Sequence, residues 1–114
     1  MKNFEQELEN LSMYIQAYED TSLNDGESLN ELLKRINTTL FYLENERSVF
    51  KKQYESKVYD LTTDKKMTVA RAINFAEVEV PELYMLRRIM DSGYRISDAI
   101  RTNISFLKSE KRNA

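Results

Sequence analysis

Seven basic residues fall within one stretch of the chain: Arg47, Lys51, Lys52, Lys57, Lys65, Lys66 and Arg71. They are opposed there by three acids, Glu55, Asp60 and Asp64. Tyr54, Tyr59 and Phe75 lie among or beside them. Phosphate groups need cationic donors of this kind, and unpaired bases stack on aromatic rings for about 1–3 kcal/mol each. On that chemistry the candidate nucleic-acid-binding residues are Arg47, Lys51, Lys52, Lys57, Lys65, Lys66 and Arg71 for the strand backbone, with Tyr59 stacking. A second group, Arg87, Arg88, Arg95, Arg101, Lys108, Lys111 and Arg112, runs with Tyr84, Tyr94 and Phe106. A plainer account fits the same residues. Tyr54 and Phe50 lie on an apolar helical stripe, and long Lys and Arg stems beside a helical seam are ordinary.

Other chemistry is poorly provided for. The chain has no His and no Cys, so the usual general base near neutral pH and the thiolate nucleophile are both missing. The carboxylates come singly along charged helical faces, where solvation accounts for them. The carboxylate-plus-His set of di-iron bundles cannot be assembled. With two glycines, neither the phosphate-loop nor the dinucleotide glycine pattern can be written. The expectation is a non-enzyme with no cofactor, no metal ligands and no small-molecule substrate.

A chain of 114 residues holds one domain at most, expected to span 1–114. Hydrophobic residues at 41% with charged residues at 32% suit helices that carry one apolar stripe and a charged outer face. Two Gly and one Pro leave little for the turns of a sandwich or barrel. No run approaches the roughly 20 apolar residues of a bilayer span. The opening residues, Lys2 and then Glu5, Glu7 and Glu9, lack the order of a signal peptide. Zero Cys is compatible with a reducing compartment. The expected location is cytoplasmic, in the host cell if the chain is phage-encoded, with no membrane partner.

The net charge of −2 conceals a split. Residues 1–31 hold one base against eight acids, and residues 32–114 hold sixteen bases against eleven acids. An anionic partner for the basic part accounts for this, and so does an acidic first helix packed on basic neighbours.

Three helical patterns must position these residues. Phe4, Leu8, Leu11, Ile15 and Tyr18 recur at 4, 3, 4, 3 and predict a first acidic helix over 1–20. The stretch Asp20 to Ser28 is the clearest break, and Ser28 with Glu31 reads as a capping box. Leu29, Leu33, Ile36, Leu40, Leu43, Phe50, Tyr54 and Leu61 predict a helix over 28–62, interrupted on its stripe by Arg47 and Lys57. At 1.5 Å per residue it would be roughly 50 Å long, which argues for a hairpin or coiled-coil assembly. Thr62 to Lys66 is the expected turn and Thr68 the next N-cap. A third pattern, from Val69, Ile73, Ala76 and Val80 to Leu107, predicts a helix over 68–108, kinked or broken where Pro81 follows Val80. Gly93 is either a flexible point or a close helix contact, and Ser109 to Ala114 should fray. The predicted fold is all-α: a long antiparallel, coiled-coil-like hairpin with an additional N-terminal amphipathic helix.

Two segments carry a resemblance. MTVARAINFAEVEV (67–80) and IRTNISFLKSE (100–110) are similar to short helical-hairpin proteins of tailed phages and related mobile elements, encoded in recombination and replication modules. More loosely, size, the basic helical middle and SGYRISDAI (92–100) resemble the UvsY-type recombination mediators. The chain departs from the hairpin pattern at Pro81 and Gly93, and the likeness singles out no binding residue. It implies a phage-type accessory protein of DNA recombination or replication, acting as a homo-oligomer on single-stranded DNA or on recombination or single-strand-binding proteins. The alternative is a protein–protein interaction module, such as a phage-encoded inhibitor of a host or defence protein, or a structural helical adaptor.

Overall fold

The computed structural model describes residues 3–113. Positions 1 and 2 of the expected first helix, and Ala114, lie outside the described residues. The fold is all-α, a helical hairpin with an extra N-terminal helix, and no strand occurs among the described residues. Its helices are α1 (Phe4–Asp20), α2 (Gly26–Thr63), α3 (Val69–Glu79) and α4 (Pro81–Asn113).

The helix ends follow local chemistry. The Asn3 side chain caps α1, accepting from the backbone N–H of Glu5 at 2.9 Å and of Gln6 at 3.4 Å. The capping box expected at Ser28 and Glu31 is not the one used. Asp25 caps α2 from the residue before Gly26: its Oδ1 accepts from the Ser28 N–H at 3.0 Å and its Oδ2 from the Ser28 hydroxyl at 2.7 Å. A carboxylate is a stronger acceptor than a hydroxyl and also complements the positive end of the helix, so Asp25 prevails. Glu31 instead pairs with Arg35 one turn on, at 3.4 Å.

α2 ends one residue later than predicted. The Met67 N–H returns to the Leu61 carbonyl at 3.1 Å, and Lys66 takes φ 53° to turn the chain. Thr68 caps α3 as expected, accepting from the Arg71 N–H at 3.3 Å. α3 stops at Glu79, because Pro81 has no N–H to continue the ladder and restricts Val80 before it. Val80 sits at φ −125°, ψ 64°, and Pro81 then opens α4 at the position where a missing N–H costs nothing. α4 stays helical through Asn113, beyond the predicted end at 108.

The helices gather into two compact units. The first comprises the residues up to Leu43 together with those from Ile89 onward. Its core is Leu11 from α1, Leu29, Leu32, Ile36, Leu40 and Leu43 from α2, and Met90 and Ile100 from α4, all buried. Leu32 is buried and Leu33 only half-buried, the reverse of the simple stripe, because α2 here packs against two helices at once. α2 and α4 run antiparallel: the buried Ser97 hydroxyl donates to Asn37 Oδ1 at 2.8 Å, and Gly93 lies against Leu40. Gly93 is therefore a close helix contact and not a flexible point.

The second unit is Glu44–Arg88. Its buried apolar residues are Leu61, Ala72, Ala76, Val80 and Leu86. Ala72 and Ala76 lie one turn apart on α3 and let that helix approach closely. Lys57 of α2 pairs with Glu79 of α3 at 3.0 Å.

Candidate interaction surface

All eight residues singled out by chemistry belong to the Glu44–Arg88 unit. Arg47 is half-buried and pairs with Glu44 at 3.2 Å, while half-buried Lys57 is held by Glu79. Lys51 and Lys52 are exposed on α2, and Tyr59 is 67% exposed. Lys65 and Lys66 are exposed in the α2–α3 link. Arg71 is exposed on the first turns of α3, with its guanidinium 5.8 Å from the centre of the Phe75 ring.

These cations do not share one face. At about 100° per residue, Lys52 stands about 140° around α2 from both Arg47 and Lys57. Lys51, Tyr59 and Lys52 fall within about 100° of one another, with Lys52 and Tyr59 about 20° apart, and Lys57 stands outside that arc. Acids just outside the basic stretch dilute it further. Glu44 and Glu46 precede it and Glu77, Glu79 and Glu82 follow, so Glu44–Arg88 holds nine bases and eight acids, a net charge of +1.

The unit also carries a good deal of exposed apolar surface. Val49, Tyr59, Val69, Phe75, Val78, Tyr84 and Met85 are all exposed, Val78 at 79%. Against a buried set of five, two of them alanines, the outward-facing apolar residues outnumber the core. α3 shows the arrangement most clearly. Ala72 and Ala76 face inward, whereas Arg71, Asn74, Phe75 and Val78 fall within about 100° on the opposite side and are all exposed. Arg88 of α4 likewise lies 6.0 Å from the centre of the Tyr84 ring. At the Val80–Pro81 break the helices leave a recess of about 360 Å³, lined by Tyr54, Glu77, Val80, Leu83, Tyr84 and Arg87.

Sequence reasoning placed Phe75 as a ring beside cations and left Val78 unassigned. The signal was present: neither fits the 69, 73, 76, 80 stripe, so both had to face away from it. The second basic group, in α4, is broken up as well, with Arg101 turned to Asp98 at 3.4 Å. Among the described residues no group of three or more His, Cys, Asp or Glu could hold a metal ion, and no helix is long and apolar enough to cross a membrane. No known protein family, curated protein or solved structure matches the chain.

Proposed function

We propose that the chain is a non-enzymatic helical interaction module whose working surface is the outer face of the Glu44–Arg88 unit, and that its partner is a protein. The observation carrying this reading is the exposure of Phe75 and Val78 together on α3, beside an arginine, in a unit whose charges nearly cancel. Exposed apolar side chains rimmed by polar groups mark protein contacts, and Arg and aromatic residues are the usual anchors. Zero-length cross-linking of the tagged chain in its source cells, with and without nuclease, tests it. Cross-links to one protein concentrated within residues 47–88 and surviving nuclease are expected. Association that disappears with nuclease or above moderate salt would overturn it.

A second reading rests on Lys51, Lys52, Lys65, Lys66 and Arg71, which are exposed, and on exposed Tyr59, two turns from Lys52 on the same side of α2. In it the chain is an accessory factor of DNA recombination or replication, of the phage type that the sequence resembles, and contacts single-stranded DNA through that end as an oligomer. Few phosphate contacts per chain would then be multiplied by self-association. Fluorescence anisotropy with a labelled oligonucleotide separates the readings, since phosphate-driven binding weakens steeply with salt. No binding at about 50 mM salt removes this one.

A further inference from the structure

Little holds α3 in place. At 11 residues it is shorter than the roughly 12–15 that an isolated helix needs to persist in water, so packing must keep it formed. Its fully buried residues are Ala72 and Ala76, whose side chains are single methyl groups. Ile73 is half-buried, and Val80, just past the helix end, is buried. α2, by contrast, sets Leu29, Leu32, Ile36, Leu40 and Leu43 into the core of the other unit. The gain from burial scales with apolar area, so an alanine contributes a small fraction of what a leucine does. The ion pair that ties α3 to α2, Lys57 with Glu79, joins side chains 35% and 52% exposed, where solvent screens it.

Both ends of α3 are also uncoupled from their neighbours. Lys66, at φ 53°, turns the chain ahead of it. Pro81 has no N–H with which to carry the backbone ladder from α3 into α4. A weakly packed segment between two such breaks can lose its structure without unfolding the helices on either side. We infer that α3 is a detachable strap: it unfolds alone, between the Lys66 turn and the Val80–Pro81 break, while α2 stays helical. The Glu44–Arg88 unit then has a minor state in which the surface that Ala72 and Ala76 cover is open to solvent. Lys57 and Glu79 are the latch. Glu79 is the last residue of α3, where an acid opposes the helix dipole. Removing its charge would firm up a free helix, whereas it loosens a latched one.

Site-resolved amide hydrogen exchange of the full chain tests this. The amides of residues 72–80 should be protected at least about a hundredfold less than those of 33–43, since local opening precedes global unfolding. They should also be protected less than those of 50–58 on α2. Glu79→Gln and Lys57→Gln should each speed exchange across 72–80 by about two- to fivefold, the worth of a partly exposed ion pair. Neither should change 33–43, which reports that the variants remain folded. Protection of 72–80 equal to that of 33–43 overturns the inference. So does exchange of 72–80 in step with 50–58, since the unit then opens as a whole. A Glu79→Gln chain whose 72–80 amides exchange no faster than the wild type's also overturns it, because nothing is then latched.

Discussion

Gly93 of α4 and Leu11 of α1 stand so close that a side-chain carbon at Gly93 would lie 3.2 Å from Leu11 Cδ1 and 3.3 Å from its Cδ2. Leu40 of α2 closes the other side at 3.1 Å. Two effects oppose each other at this site. Replacing a mid-helix glycine by alanine gains up to about 1 kcal/mol of helix propensity, whereas forcing a methyl into a filled core costs about 1–3 kcal/mol. Leu11 and Leu40 are themselves buried, so neither can swing away, and crowding wins. Gly93→Ala should lower stability by about 1 kcal/mol, read from the urea midpoint. In Leu11→Ala the same substitution should be neutral or favourable, and additive behaviour in that double-mutant cycle would refute the contact.

Lys66 provides the reverse case. It takes φ 53°, a region that costs a side chain with a Cβ about 1 kcal/mol, and it is exposed, with no packing to recover that cost. Lys66→Gly should therefore stabilise the chain by about 0.5–1 kcal/mol despite the added freedom of the unfolded state. A falling midpoint would mean that the lysine contributes something there beyond the turn.

The helical type of the elements was legible because the 3/4 spacing of Leu29, Leu33, Ile36, Leu40 and Leu43 is regular, whereas Pro81 left a kink and a break equally open and the structure divides the third pattern into α3 and α4 there. Thr68 as a cap was equally plain. The α2 start was misplaced because two acceptors, Asp25 and Ser28, compete within three residues, and sequence alone does not say which of them caps the helix. The site was legible in location but not in form. Charge counting over 47–71 cannot register that Arg47 and Lys57 face acids or that Lys52 points away from both, since facing is set by rotation around the helix and by Glu79 from another helix. The outer stripe of α3 was missed for a related reason. Phe75 reads as a ring near cations until its angle from the 69, 73, 76, 80 stripe sets it on the outer side of the helix.

Asp25 gives the chain a handle on acid pH. The Ser28 backbone N–H and then its hydroxyl hold the Asp25 carboxyl below its ordinary value. A carboxyl depressed in the folded state contributes stability above its unfolded pKa, and that contribution disappears as pH falls through the folded value. Asp25→Ala should thus lower Tm at neutral pH, and the difference from wild type should close as acid protonates the wild-type carboxyl. Thermal melts from neutral to strongly acid pH check this, and a gap that stays constant would contradict the sign.

The sharpest stability contrast falls on the two sides of α3. Val78 is 79% exposed and Phe75 is 43% exposed, while Ala76 beside them is fully buried. Exposed positions without special contacts tolerate substitution within about 0.5 kcal/mol, so Val78→Ser should leave the denaturation midpoint almost unmoved. Ala76→Leu adds three carbons where α3 meets its neighbours and should cost about 1–3 kcal/mol. Phe75→Ser should fall between, losing the ring beneath Arg71 and the part of its area that is covered. Were Val78→Ser to destabilise the isolated chain as strongly as Ala76→Leu, the outer face would be core, and a protein partner would have no surface there to bind.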